Sequence, residues 1–285
     1  MRLICTAATG RCGEQSLSAF LRHHLPDALV LWEEPQIHPL LPSRLGDVEK
    51  RLRRRFVETH ELLGRGRVLT AFDAGDDAAL DAMARKRLAW LERQAAAAGA
   101  SVCIDVSKFF IRGLHRPLTR LRPNMALIRL VRDPILNMRS YLNRDKDFAL
   151  DNNDPASPRN ELPMDSAIGP AERYLWSWCE VYLRFDSLVR EFGLGPAVEI
   201  RTEDLNDAAA MARHLIALDL PPQIPVTALP PRNRNVDRGF RDTRITEEDI
   251  EIFERFVGRL PKSALDRLTY LRGYDPWAVH TEAAA

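Results

Sequence analysis

Residues 2–17 read RLICTAATGRCGEQSL, and this stretch decides the fold class. Its first six residues form a short apolar run of the kind that makes a buried strand. The turn TGRCG follows, and from Leu17 onward apolar residues recur at helical spacing. Strand, glycine turn and helix in this order are typical of open α/β folds, whose first turn commonly binds phosphate through backbone N–H groups at the helix N-terminus.

Further strands and helices alternate along the chain. Apolar runs typical of buried strands lie at 28–32, 67–72, 101–106, 125–131 and 197–202. Apolar residues at helical spacing predict helices at 46–63, 76–98, 135–144 and 171–192, and the Pro-rich segment 151–170 predicts a long loop. This alternation predicts an α/β fold with a central parallel sheet flanked by helices.

The domain organisation follows from the same pattern. The chain shows neither an internal repeat nor a clean linker. We therefore expect one domain over residues 1–285, with a core of about 1–205 and a helical carboxyl-terminal part of about 206–285.

The composition argues against several classes of protein. Of the 285 residues, 45% are hydrophobic and 28% are charged, as in an ordinary soluble globular protein. The net charge of +1 supplies no basic field for nucleic acid, and the four widely spaced cysteines form no metal-ligand pattern. No apolar stretch approaches the roughly 20 residues of a membrane span, and no signal peptide is visible. We therefore expect a cytoplasmic protein with no metal, no nucleic-acid partner and no membrane span.

The turn after the first strand is a candidate anion site. Gly10 and Gly13 allow close approach of the backbone, and Arg11 can offer two parallel hydrogen bonds to a phosphate or a sulfonate. Gln15 and Ser16 can donate from the first helical turn. The phosphate-loop pattern GxxxxGK[ST] and the dinucleotide pattern GxGxxG are both absent. A glycine turn with one arginine also fits an ordinary strand–helix connection, so this motif alone leaves both interpretations open.

A second candidate lies at residues 127–144, LIRLVRDPILNMRSYLNR. A buried strand here delivers Arg132 at its carboxyl end, and Asp133-Pro134 turns the chain. Ser140 follows eight residues after Arg132, inside the next predicted helix. This spacing can bring a guanidinium and a hydroxyl to one anion.

Together the two segments resemble the bacterial-type sulfotransferases that use 3′-phosphoadenosine-5′-phosphosulfate (PAPS). TGRCGEQSL resembles the 5′-phosphosulfate loop of that family, and LVRDPILNMRSYLNR resembles its 3′-phosphate motif. CIDVSKFFIRG at 103–113 and VEIRTEDL at 198–205 are similar to further family segments, so the resemblance covers about residues 1–205. It implies a P-loop-like sulfotransferase fold.

The resemblance also implies a reaction and its residues. The reaction is transfer of a sulfonate from PAPS to a hydroxyl or amine of an unknown small-molecule or glycan acceptor, which leaves 3′-phosphoadenosine-5′-phosphate (PAP). The implied cofactor-binding residues are Arg11, Cys12, Gly13, Glu14, Gln15, Ser16, Arg132 and Ser140. Arg11 would also be catalytic, because negative charge grows on the bridging oxygen as the sulfonate leaves.

The resemblance further implies a general base for the acceptor's proton. Glu34, at the end of the second predicted strand, is the first candidate, and His60 is the second. Lys108 is a candidate for holding the sulfonate, since it follows a predicted strand.

The chain departs from the family pattern at Glu14 and Gln15, where relatives usually have two threonines. A carboxylate at a helix N-terminus favours the helix, but beside a polyanionic cofactor it is unfavourable unless it points away or is neutralised. Two alternatives therefore stay open: a non-catalytic sulfotransferase-fold binding protein, and a nucleotide-dependent small-molecule kinase. The missing Gly-Lys-Ser/Thr argues against the kinase.

Overall fold

Five parallel strands form one sheet at the centre of the protein. The computed structural model describes residues 1–35, 59–143, 152–228 and 244–281, with the backbone alone at 59–60 and 281. The strands are β1 (Arg2–Ala7), β2 (Leu29–Trp32), β3 (Val102–Val106), β4 (Ala126–Val131) and β5 (Ala197–Arg201). Their order is β2-β3-β1-β4-β5, and each neighbouring pair is parallel. The carboxyl ends of all five strands therefore lie at the same edge of the sheet.

Helices connect the strands and cover both faces of the sheet. In the first half of the chain they are α1 (Glu14–His24), α2 (Thr59–Leu63), α3 (Arg67–Ala74), α4 (Asp77–Ala97) and α5 (His115–Leu121). In the second half they are α6 (Pro134–Leu142), α7 (Pro170–Phe192), α8 (Ala208–Ala217), α9 (Glu247–Val257), α10 (Lys262–Leu265) and α11 (Pro276–Thr281). Within the described ranges, no helix combines the length and the apolar character that a bilayer span requires.

The central strand shows why the sheet is buried on both faces. Leu3 and Cys5 of β1 belong to a core cluster that includes residues of α4 and α7. Ile4, one position along, belongs to a second cluster that includes residues of α1 and α8. Successive side chains of a strand point to opposite faces, so β1 contributes to both cores. The predicted α/β fold with a central parallel sheet is confirmed.

The predicted strand at 67–72 is wrong, because these residues form part of α3. Val68, Leu69, Ala71 and Phe72 are buried, and their spacing of one, three and four residues is that of one helix face. A run of six mostly apolar residues fits the period of a strand as well as that of a helix. Burial of these side chains against the rest of the core selects the helix. The described sheet accordingly has five strands, not six.

The remaining predicted elements lie close to their expected positions where they are described. The helices predicted at 76–98, 135–144 and 171–192 form as α4, α6 and α7. Asp76 caps α4 by accepting a hydrogen bond from the Ala79 amide. Of the helix predicted at 46–63, only Thr59–Leu63 falls within the described residues.

The loop predicted at 151–170 contains neither helix nor strand over 152–169, and buried polar contacts hold it in place. Arg184 of α7 is 2% exposed. It donates to Glu180 Oε1 (2.5 Å), to Asn153 Oδ1 (3.0 Å) and to Asn160 Oδ1 (2.8 Å). Glu180 in turn accepts from the backbone amides of Glu161 and Leu162 (3.0 and 2.8 Å). One buried ion pair therefore ties this loop to α7.

Candidate functional site

The loop between β1 and α1 has an unusual backbone. Gly10, Arg11 and Gly13 have φ of 90°, 64° and 97°, all in the left-handed region. Glycine adopts this region readily, but the same backbone conformation is strained in arginine, which has a Cβ. Non-glycine residues held in this way cluster at functional sites. The loop therefore has a conformation that its surroundings must enforce.

Side chains from distant parts of the chain enforce it by binding the loop carbonyls. The carbonyl oxygens of residues 9–12 each accept at least one hydrogen bond from a side chain outside the loop. The donors are Arg112 Nη2 (2.7 Å) and Tyr141 Oη (2.6 Å) to Thr9, Asn137 Nδ2 (2.8 Å) to Gly10, Arg132 Nη1 (3.1 Å) to Arg11 and Thr202 Oγ1 (2.8 Å) to Cys12.

These hydrogen bonds to the loop carbonyls also fix the directions of the loop amides. In a trans peptide, the N–H points opposite to the carbonyl oxygen of the same unit. The N–H groups of residues 10–13 therefore point away from the side chains that hold the carbonyls. Backbone N–H groups of this kind, beside the N-terminus of α1, which begins at Glu14, are groups that can bind an anion.

Gly10 is required for close approach as well as for its left-handed φ. A Cβ at this position would lie 2.3 Å from Tyr141 Oη and 2.8 Å from Lys108 Cδ. Lys108 therefore crosses directly over the loop, although it follows β3 in the sequence.

We expect Gly10→Ala to lower the free energy of unfolding by about 2–5 kcal/mol, the sum of left-handed strain and overpacking. Gly193→Ala is the matched control, because Gly193 also has a left-handed φ of 59° but no atom lies within 4 Å of its Cβ position. It should lose only about 1 kcal/mol, the cost of the backbone conformation alone. Urea unfolding of both variants gives the comparison, and equal losses would mean that the loop is not tightly packed at Gly10.

The structure brings the two sequence motifs together. Arg11 Nε donates to Ser140 Oγ (3.0 Å), and Arg132 Nη1 donates to the Arg11 carbonyl (3.1 Å). Residues separated by 129 and 121 positions thus meet at the carboxyl edge of the sheet. The two guanidinium groups and the hydroxyl that meet at this loop form a set of donors suited to phosphate or sulfonate oxygens.

The start of α6 positions Arg132 and Ser140. Asp133 caps this helix by accepting from the Leu136 amide (2.9 Å), and it also accepts from Tyr274 Oη (2.5 Å). His280 Nε2 lies 3.3 Å from the same carboxylate. Burial by itself would raise the pKa of Asp133, but the hydrogen bonds from His280, Leu136 and Tyr274 outweigh burial and lower it. The carboxyl-terminal part of the chain thus stabilises the helix that carries Ser140.

Glu14 faces this site. Its side chain is buried, and Oε2 accepts a hydrogen bond from the Cys12 amide (3.2 Å). Oε1 is buried without a hydrogen-bond partner among the described residues. Burial raises the pKa of Glu14, and Glu33 adds to the effect, while its own amide, Lys108 and Arg11 oppose it. The Glu14 carboxylate therefore points to the Cys12 amide, a direction that the sequence left open.

Cys12, Gln15 and Ser16 lie where the loop motif predicts them. Cys12 is buried, and its Sγ lies 3.1 Å from Thr9 Oγ1. Burial, together with the nearby Glu14 carboxylate, raises the pKa of Cys12 to about 12, so the thiol stays protonated at neutral pH. Gln15 and Ser16 are half-buried in the first turn of α1.

The two carboxylates at the end of β2 have different surroundings. Glu33 has a left-handed φ of 47°, and its Oε1 lies 3.3 Å from Lys108 Nζ. Glu34 is half-buried, and its backbone carbonyl accepts from Arg87 Nη1 (2.5 Å). Glu33 is thus the carboxylate paired with the lysine that crosses the loop, and the sequence motif did not single it out. His60 lies in α2, but its side chain is outside the described residues.

No family model matches this chain, and no curated protein matches it at a significant level. The described residues thus form an α/β protein in which side chains from distant segments hold a strained loop at the carboxyl edge of a parallel sheet. In the part of the chain that the structure describes, no group of three or more His, Cys, Asp or Glu side chains is placed to hold a metal ion.

Proposed function

We propose that this protein is a sulfotransferase that moves a sulfonate group from PAPS to a hydroxyl or amine of a small-molecule or glycan acceptor. The observation that carries the proposal is the convergence of the two motifs, with Arg11 bonded to Ser140 and Arg132 bonded to the Arg11 carbonyl. A loop for one phosphate, together with Arg132 and Ser140, which the sequence motif assigns to another, suits a donor that carries both a 5′ and a 3′ phosphate.

Arg11 and the loop amides have the clearest catalytic role in this proposal. A bond forms between the acceptor oxygen or nitrogen and sulfur, while the bond between sulfur and the bridging oxygen of the donor breaks. Negative charge then grows on that bridging oxygen, and a fixed guanidinium beside it stabilises the transition state more than the ground state. Lys108, whose side chain lies against Gly10, is a second cation that can bind the sulfonate oxygens.

The acceptor's proton must pass to a base. Glu34 and His60 remain the predicted candidates, and Glu33 joins them because it pairs with Lys108 beside the loop.

One observation favours a second candidate, a nucleotide-binding protein of the same fold without catalysis. The Glu14 carboxylate already occupies the Cys12 amide, which a phosphate oxygen would otherwise accept from. Two anions at one position repel each other, so the loop would bind its ligand more weakly than a loop with threonine.

Thermal unfolding in the presence of PAP, with AMP and ATP as controls, tests the nucleotide site. A ligand that binds only the native state at about 100 times its Kd adds roughly 2.7 kcal/mol of stability. With about 2–4 °C per kcal/mol, PAP should raise the Tm by about 5–10 °C. AMP, which lacks the 3′ phosphate, should raise it far less. Equal shifts with PAP and AMP would contradict the role of Arg132 and Ser140.

A further inference from the structure

Glu14 is the group in the site that an anion-binding loop does not need. It is 7% exposed, and Oε2 binds the Cys12 amide while Oε1 is buried without a partner among the described residues. The N-cap residue of α1, Gly13, contributes no side-chain cap. The carboxylate of Glu14 therefore supplies the negative charge that the helix N-terminus and the loop amide attract.

We propose that the Glu14 carboxylate is the resident anion of this loop, and that a nucleotide phosphate enters only as Glu14 takes up a proton. The proposal rests on the nucleotide site proposed above and describes how that site is controlled. A phosphate oxygen and an ionised carboxylate cannot share one amide donor, because like charges at one site drive one of them to its neutral form.

The charged groups around Glu14 decide which form it takes. Lys108, after β3, and Arg11, in the loop, favour the ionised carboxylate, whereas Glu33, after β2, disfavours it. The turn after β5 presents Thr202 and Leu205 to Gly13, and neither side chain titrates. Burial already raises the pKa of Glu14. Protonating its carboxylate when a phosphate enters therefore needs less free energy than protonating an exposed glutamate.

The pH dependence follows from linkage. If binding takes up a proton, the affinity for the nucleotide falls as the pH rises above the pKa of Glu14 in the free protein, by up to about tenfold per pH unit. The ligand's own phosphates also titrate near pH 6, but they do so equally for every variant of the protein. The contribution of Glu14 is therefore the difference between the wild type and a variant that cannot titrate.

The experiment is calorimetric titration of the full chain with PAP at pH 7, in two buffers of different ionisation enthalpy, for the wild type and Glu14→Gln. We expect the wild type to take up as much as one proton more than the variant. Between pH 7 and pH 8 the affinity of the variant relative to the wild type should rise by up to about tenfold. Glu247→Gln is the matched control, because Glu247 is also in the first turn of a helix but is exposed. It should behave as the wild type does.

The outcomes separate this proposal from the one on which it rests. Tight binding by Glu14→Gln together with weak binding by the wild type supports both. Binding by both proteins with equal proton uptake and equal affinity overturns the role of Glu14 and leaves the nucleotide site standing. The two proteins are titrated between pH 5 and pH 8, about one pH unit or more on either side of neutral. If neither binds PAP in this range, the nucleotide site and this proposal are both overturned.

Discussion

Arg132→Ala is expected to weaken PAP binding by about 30- to 150-fold, which corresponds to about 2–3 kcal/mol for a charge-assisted contact at 1.4 kcal/mol per factor of ten. Arg132 stands at the carboxyl end of β4, half-buried, with Nη1 on the Arg11 carbonyl. Its guanidinium is the group assigned to the 3′ phosphate. AMP lacks this phosphate, so its affinity should change by less than about threefold, within the variation of neutral substitutions. Calorimetric titration of the variant with both nucleotides measures the difference.

The matched control for this prediction is Arg120→Ala. Arg120 lies on α5, is about half exposed and pairs with Asp81 at the surface, so its loss should leave both affinities unchanged. If Arg132→Ala weakened PAP and AMP equally, the arginine would act by holding the loop at the Arg11 carbonyl. Its assignment to the 3′ phosphate would then be wrong.

Arg184→Met is expected to lower the free energy of unfolding by about 3–5 kcal/mol, because it removes one partner of a buried ion pair and leaves the other uncompensated. Arg184 and Glu180 have side chains that are 2% and 3% exposed. The substitution also removes the donors to Asn153 and Asn160, which tie residues 152–169 to α7. At about 2–4 °C per kcal/mol, the Tm should fall by roughly 6–20 °C.

Two further variants make this stability prediction specific. Arg190→Ala removes a guanidinium from another i,i+4 ion pair of α7, with Asp186, and it should cost less than about 1 kcal/mol because the Arg190 side chain is 58% exposed. The double variant Arg184→Met with Glu180→Gln should be less destabilised than the sum of the single variants, because no buried charge is left alone. A loss below about 1 kcal/mol for Arg184→Met would mean that the loop is held by other contacts.

The strands and long helices were predictable because their signals are local. β1, β3 and β4 are short, mostly apolar runs, and such runs favour strands buried on both faces. α6 begins at a capping aspartate followed by proline, which is a helix start legible in sequence. Residues 67–72 were mispredicted because a short apolar run carries no unique period, and only packing distinguishes the two structures.

The site was predictable to a smaller extent. Arg11, Arg132 and Ser140 could be singled out because each follows or precedes a strand end at a recognisable spacing. Asn137 and Thr202, which hold the loop carbonyls, lie inside the quoted segments 127–144 and 198–205, but nothing in those patterns singled them out. Nor could the pairing of Lys108 with Glu33 be read from the pattern, since the pair joins the ends of two strands that are far apart in sequence.

The sequence by itself determined the parallel α/β class, the position of the loop at the end of the first strand and the identity of its cations. These depend on hydrophobic period and on glycine placement, both of which are local. The tertiary structure alone decided which carbonyls the distant side chains hold, and hence where the loop amides point. It alone decided that the Glu14 carboxylate turns onto the Cys12 amide. The directions of the carbonyls depend on contacts between segments more than 100 residues apart, and chain folding, not local pattern, brings those segments together.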